Sequence, residues 1–209
     1  MREEVIRTAR LQDVEALIAI YTECFPERAM EVFGWPHRVI LLRDYLQFYL
    51  SWDPQHNWVA VMDEEILGFV IAPCHYTPAR AALTHGQMWH WLWHLITGKY
   101  GLPVHIFKLF LAAGFAFNPD PVIRQVWGKP TIHLCAIRPQ QQGRGVGSRL
   151  MKQTLTSHQQ AGMSFCWLVV QQENLRAIAF YKKFGFDCYQ TLSQGDIVMT
   201  LGAPNLSVR

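Results

Sequence analysis

The stretch Ile137-Arg138-Pro139-Gln140-Gln141-Gln142-Gly143-Arg144-Gly145-Val146-Gly147-Ser148 constrains this chain more than any other. A largely apolar run, Thr131 to Ile137, stops before Pro139, which cannot donate to a sheet ladder, and a helical pattern follows over about 146–161. Between them lie three closely spaced glycines. A strand that feeds a helix through such a turn lets backbone approach a ligand closely. It also gathers N–H groups at the positive end of the helix dipole, which suits phosphate oxygens. It is not a Walker loop, because Gly-Val-Gly-Ser stands where Gly-Lys-Ser/Thr is needed. Nor is it a dinucleotide fingerprint, because Trp167 occupies the position about twenty residues on where an acidic side chain belongs.

The flanking texture is alternating. Val5 to Arg7 reads as a strand, about 11–22 as a helix with Leu11, Val14, Leu17, Ile18 and Tyr21 on one face, and 39–50 as a second amphipathic helix preceded by Trp35-Pro36. Trp58–Met62 and Ile66–Cys74 form a hairpin around Asp63-Glu64-Glu65. After the glycine turn come a strand at 164–170, a helix at 174–184 closed by Gly185, and a hairpin of 186–192 with 197–201. The class is α/β, a mixed sheet covered by helices.

Composition matters mainly between 75 and 130, where much of the chain's eight Trp and nine His is concentrated. Gln87, His90, His94 and Thr97 make a narrow polar stripe on a helix otherwise apolar through Met88, Trp89, Trp91, Leu92, Trp93, Leu95 and Ile96. Such a helix is either nearly enclosed or lines a cavity. A further helix is expected from Pro103 to about Phe117, ended by Asn118-Pro119-Asp120-Pro121. The polar residues in 81–98 argue against an integral membrane span. His90 and His94 have ligand spacing, but no third ligand is evident, so no metal is expected. The net charge of +3 leaves no basic arm for nucleic acid. Five scattered cysteines without a CxxC pair, and a charged start without an apolar leader, read as reduced thiols in a cytoplasmic protein.

Gln142-Gly143-Arg144-Gly145-Val146-Gly147 resembles the acyl-CoA pyrophosphate loop, Arg/Gln-x-x-Gly-x-Gly/Ala, of the GNAT superfamily of N-acetyltransferases. A second motif comes after it in order. Asn174-Leu175-Arg176-Ala177-Ile178-Ala179-Phe180-Tyr181-Lys182-Lys183-Phe184-Gly185-Phe186 resembles that family's N-x-x-A-x-x-x-Y-x-x-x-G-F segment, and Ile6-Arg7-Thr8-Ala9 with Asp13 resembles its opening strand and helix.

The resemblance implies a twisted, mostly antiparallel mixed sheet flanked by helices, with a helical insertion at about 75–130. It implies one acyl-CoA N-acyltransferase domain over 1–209, with acetyl-CoA as co-substrate. The amides of Gly143, Arg144, Gly145, Val146, Gly147 and Ser148, with Gln142, would hold pyrophosphate. Cys135, Ala136 and Ile137 would pair through their backbone with the pantetheine arm, Asn174 would contact that arm, and Tyr181 would protonate the departing thiolate. A phenol near pKa 10 stays protonated at neutral pH and suits that task.

The amine's proton needs an acceptor. Where ribosomal-protein-type members carry Glu this chain has Val169, and where histone-type members carry Glu it has Thr131. His133, expected on the same strand face as Thr131 and Cys135, is the candidate base. His-Leu-Cys-Ala-Ile resembles the strand of arylalkylamine acetyltransferases, where a His helps remove protons through water; Glu173 is the reserve. The expected reaction is direct acetyl transfer to a primary amine in a ternary complex, with the insertion walling an acceptor of apolar or aromatic body. Two other readings stay open. One is a non-catalytic CoA-binding module; the other uses the apolar insertion at a membrane surface or a homodimer interface.

Overall fold

A computed structural model of the chain describes residues 4–33, 39–76, 87–99, 120–193 and 195–202. The amino-terminal half holds β1 (Val5–Thr8), α1 (Val14–Cys24), α2 (Pro26–Phe33), α3 (Val39–Trp52), β2 (Asn57–Met62), β3 (Glu65–Ile71) and α4 (Gln87–Ile96). The remainder holds α5 (Pro121–Val126), β4 (Thr131–Ile132), β5 (Leu134–Ile137), α6 (Val146–Gln160), β6 (Cys166–Val170), α7 (Leu175–Lys182), β7 (Asp187–Thr191) and β8 (Ile197–Leu201).

Strand order is β1-β2-β3-β5 in one four-stranded sheet and β4-β6-β8-β7 in the other. Every pairing is antiparallel except β4 with β6. The expected mixed, mostly antiparallel sheet is therefore present, but divided.

The division falls inside the strand expected to run unbroken from Thr131 to Ile137. Thr131 and Ile132 lie opposite Trp167 and Leu168 of β6. At His133 the amide donates to the Ile71 carbonyl over 2.8 Å, yet the register partner of Ile71 is Leu134. Two residues thus face one, a β-bulge, and a bulge bends and twists its strand. Past it, among the described residues, β5 pairs with β3 alone while β6 continues along β8. The facing edges of β5 and the end of β6 part, and the sheet forks at His133.

Two apolar clusters fix this shape. Leu17, Ile20, Leu42 and Leu46 of α1 and α3 pack on Phe69 and Ile71, while Leu150 and Met151 of α6 pack on Leu168, Met199 and Phe186. Arg7 grips Asp13 through two hydrogen bonds, at 2.7 and 2.8 Å, and the Arg10 amide adds a third at 2.7 Å. That carboxylate, buried at the start of α1, ties the helix to β1.

The structure departs from the elements read in the sequence in three places. Helix α2, opened by Pro26, was not anticipated; only Ala29 and Phe33 of it are buried, so its apolar periodicity is short. Asp120 starts a further short helix, α5: its Oδ1 accepts from the Val122 amide at 2.9 Å, and its Oδ2 takes the Ser193 amide and hydroxyl. Helix α4 is not enclosed either. Trp91 packs on Phe48 and His94 is buried on Asp44, but Trp89 and Trp93 are 74% and 61% exposed. The helix expected from Pro103 to Phe117 lies outside the described residues.

Candidate active site at the sheet fork

Past the bulge, backbone groups alternate in direction along β5. Arg138 donates to the Leu67 carbonyl at 2.9 Å, so the peptide groups of Leu134, Ala136 and Arg138 face β3. Those of Cys135 and Ile137 face the fork. Of the three residues expected to offer backbone to a ligand arm, Ala136 therefore has its own groups engaged in the sheet. The Ile137 carbonyl is met by Gln142 Nε2 and Cys24 Sγ, each at 3.1 Å, so the Gln142 side chain folds back onto the strand end. The loop is held from the other side by Glu23 at the end of α1, which accepts from Gln140 Nε2 (2.7 Å) and pairs with Arg138 (3.2 Å).

Gly143 and Gly145 have φ of +77° and +84°, values that side-chain-bearing residues rarely adopt, and Gly145 is the residue at which α6 begins. The first bond of the helix ladder runs from Arg149 N–H to the Gly145 carbonyl (3.0 Å). Among the described residues no backbone carbonyl accepts from the amides of Gly143 through Ser148. These amides stand at the positive terminus of a 15-residue helix, the arrangement that receives phosphate oxygens. The chain around the loop fits an acyl-CoA: a pyrophosphate at these amides would leave the arm running along the open edge of β5.

Across the fork, Asn174 caps α7, its Oδ1 accepting from the Ala177 amide at 3.0 Å. That leaves its side-chain NH₂ for other partners. Gly185, with φ +84°, turns the chain out of α7, and Phe186 then packs beneath Tyr181 with ring centroids 5.9 Å apart. Burial raises the Tyr181 hydroxyl well above its ordinary pKa, and the neighbouring Cys135 and Cys166 thiols raise it further. Burial also pushes the Cys135 thiol up to about 12. Tyr181 and Cys135 thus share one apolar environment as neutral groups.

His133 is turned elsewhere. The bulge breaks the two-residue alternation, so His133 does not share the setting of Cys135 as the strand pattern predicts. Its ring stacks on Tyr49, centroids 4.2 Å apart, lies 5.2 Å from Tyr76, and its Nε2 is 2.6 Å from the Tyr45 hydroxyl. Trp127 and Trp167 meet Tyr76 edge-on, each at 5.4 Å. Burial among these rings, with a smaller contribution from the Arg28 cation, pushes the imidazole down to about 3. His133 is therefore neutral at physiological pH, and the high pKa of buried Tyr45 keeps that hydroxyl protonated.

The aromatic box was not assigned in the sequence. Tyr45 and Tyr49 are four residues apart on α3 and read simply as its apolar face. Their spacing was the available signal, but only the fold brings Tyr76 and His133 to it. At the two positions where the resemblance led one to look for a carboxylate, Val169 is 40% exposed in β6, and Thr131 is buried with its hydroxyl donating to the Trp167 carbonyl at 2.9 Å. Glu173 is exposed just ahead of α7. His90 and His94 do have a carboxylate nearby: Asp44 Oδ2 lies 2.7 Å from His94 Nδ1 and Oδ1 3.5 Å from His90 Nε2. Among the described residues no helix is long and apolar enough to cross a membrane.

Solved structures share this architecture. SsHAT superposes with a TM-score of 0.70 at 20% identity, over 95% of this chain and 97% of that one. The PaiA N-acetyltransferase of Thermoplasma acidophilum, solved in complex with coenzyme A, gives 0.60 at 14% identity over 96% and 99%. The Drosophila melanogaster polyamine N-acetyltransferase, which forms N-acetylagmatine, gives 0.60 at 14% identity over 96% and 100%. No curated protein sequence matches the chain significantly. The sequence profile of the Acetyltransferase (GNAT) family matches residues 14–186, most of the chain. With the forked sheet and the glycine loop at its mouth, this match makes the chain a member of the GNAT family of acetyltransferases.

Proposed function

We propose that this acyltransferase moves an acetyl group from acetyl-CoA to a primary amine by direct attack, with both substrates bound together at the fork. The observation that carries the reading is the parting of β5 from β6 at His133, with the unpaired amides of Gly143–Ser148 at one end of the gap and the Tyr181/Cys135 cluster beside it. Acetyl-CoA supplies the electrophilic thioester. The amides of residues 143–148 hold its pyrophosphate, the backbone groups of Cys135 and Ile137 line its arm, and the free side-chain NH₂ of Asn174 reaches toward that arm.

Tyr181 holds its proton on the phenolic oxygen and delivers it toward the leaving sulfur. Its raised pKa keeps it a donor across the physiological range. His133, expected from the sequence as the base, is neutral, buried and already accepts from the Tyr45 hydroxyl, so it orients the aromatic wall and does not take the proton, which the amine loses to water and bulk solvent. Tyr45, Tyr49 and Tyr76 with Trp127 wall an acceptor site suited to an amine with an apolar or aromatic body, because flat rings present both apolar area and a face that attracts ammonium. The domain so defined covers residues 1–209, and a cytoplasmic setting supplies its co-substrate.

The test is release of free thiol from acetyl-CoA across a panel of alkyl, arylalkyl and polycationic amines. Turnover fastest with arylalkyl or apolar amines is expected. CoA binding without turnover on any amine overturns the reading in favour of a binding module.

A further inference from the structure

A second cluster of reactive side chains lies at the far end of α6. Asp53 and His56 sit in the turn between α3 and β2, Cys74 follows β3, and His158 is in the last turn of α6. At 1.5 Å per residue, His158 is about 18 Å along the helix from Val146 and the phosphate-binding turn. The donor atoms of Asp53, His56 and Cys74 all lie within 4.8 Å of one another. His56 Nδ1 is 2.6 Å from Asp53 Oδ1, and Asp53 Oδ2 accepts from the Cys74 amide at 2.9 Å, so the carboxylate holds both other groups in place. Asp53, His56 and Cys74 line a cavity of about 400 Å³ together with Trp52, His75, Ala161 and Met163.

His158 supplies the independent observation. It is 2% exposed, and its ring lies 5.8 Å from that of His56. Nε2 is 2.8 Å from the Ala72 carbonyl, which can only accept, so Nε2 carries the proton. Nδ1 is then left with a lone pair, buried and without a hydrogen bond of good geometry, while the His158 side chain interacts with the Cys74 thiol. An orphaned buried acceptor costs about 1–3 kcal/mol, and a core seldom leaves one without a use. A histidine fixed by a backbone carbonyl on one nitrogen and bare on the other is how metal-ligating imidazoles are oriented.

We propose that Asp53, His56, Cys74 and His158 form a metal site for a zinc-class divalent cation, separate from the acyl-transfer site. One sulfur, two imidazole nitrogens and one carboxylate oxygen match the donor preferences of Zn²⁺ and disfavour Mg²⁺ or Ca²⁺, which take oxygen. A tetrahedral ion at roughly 2.0–2.3 Å from each donor spaces its ligands by about 3.3–3.8 Å, within reach of the Asp53, His56 and Cys74 donors, and the His158 ring beside His56 closes in as the fourth. With four protein ligands the site is structural. It clamps the α3–β2 turn, the end of β3 and the end of α6 together, two residues before Tyr76 reaches the His133 ring.

Cobalt(II) is the probe, since a cobalt–thiolate bond has its own charge-transfer band. The full chain, stripped with chelator and titrated with Co²⁺, is expected to show that band and the intense d–d absorption of tetrahedral cobalt, both abolished by added Zn²⁺. Cys74→Ser removes the band. His158→Gln weakens Co²⁺ binding at least ~10-fold. Both variants keep wild-type CoA affinity, which shows that they fold. Zinc also slows alkylation of Cys74 by iodoacetamide, read by peptide mass mapping on the unaltered chain, so the proposal stays testable if a variant misfolds. The Asp44/His90/His94 group has no sulfur and cannot produce the thiolate band. Absence of that band, its persistence in Cys74→Ser, unchanged Co²⁺ affinity in His158→Gln, or alkylation of Cys74 that ignores zinc overturns the site.

Discussion

The Tyr45 hydroxyl lies 2.6 Å from His133 Nε2, and this contact joins α3 to the residue at which the sheet forks. It exists because the bulge at His133 turns that side chain toward α3. A regular strand would have sent it the other way.

His133 gives the molecule an acid-side signature. Its folded pKa of about 3 lies below the roughly 6.5 of an unfolded histidine, so below that value the unfolded chain binds a proton that the folded one refuses. The contribution to stability is complete above pH ~6.5 and is lost progressively as pH falls toward 3. Urea unfolding at stepped pH is expected to show this loss in the wild type and a smaller one in His133→Gln. The pH profile of kcat/KM should likewise have no limb near 6.5 arising from His133.

Tyr181→Phe removes the phenolic proton and keeps the ring packed on Phe186. Turnover should fall about 10²-fold or more, with CoA affinity nearly unchanged. Thiol-release kinetics beside calorimetric CoA titration separate the two, and undiminished turnover removes Tyr181 from the reaction.

Gly145→Ala places a methyl group on a backbone with φ +84°, where it also meets the Arg149 guanidinium at 2.9 Å. The left-handed conformation alone costs about 1–2 kcal/mol for a residue with Cβ. The loop should shift rather than the fold fail, so KM for acetyl-CoA should rise while the thermal midpoint changes little.

Tyr76→Leu opens the aromatic box without touching the glycine loop. An aromatic contact worth about 0.5–1.5 kcal/mol predicts a KM for arylalkyl amines raised about 2–10-fold and an unchanged KM for acetyl-CoA. An equal effect on small alkyl amines would show that the box does not select the acceptor.

Asp13→Asn leaves the Arg7 guanidinium without its buried partner. Burial opposes ionisation of Asp13, but the Arg7 and Arg10 hydrogen bonds outweigh it and hold the carboxyl below its usual range. The expected loss is about 2–3 kcal/mol in chemical denaturation, with the residual enzyme catalytically intact.

Much of this was legible in the chain. The glycine loop, the α6 and α7 patterns and the hairpins arise from local rules of turn chemistry and periodicity, and residues 146–160 and 197–201 fall where those rules put them. The short α2 and α5 were not, since six to eight residues carry too few apolar positions to define a face. Asp120 shows the same limit: an Asn-Pro-Asp-Pro string marks a break, but whether it closes one helix or caps the next depends on the segments that pack around it.

The sequence by itself determined the glycine turn ahead of α6, because left-handed glycines before a helix are a property of adjacent residues. It also determined the position of Tyr181 on the helix closed by Gly185. Only the tertiary structure decided where His133 points and what surrounds it. A single bulge, invisible to a two-residue period, splits the strand, opens the fork and delivers the imidazole to three tyrosines from distant segments. The gathering of Asp53, His56, Cys74 and His158 is of the same kind: their neighbourhood is made by the packing of α6 across β2 and β3, and no local spacing encodes it.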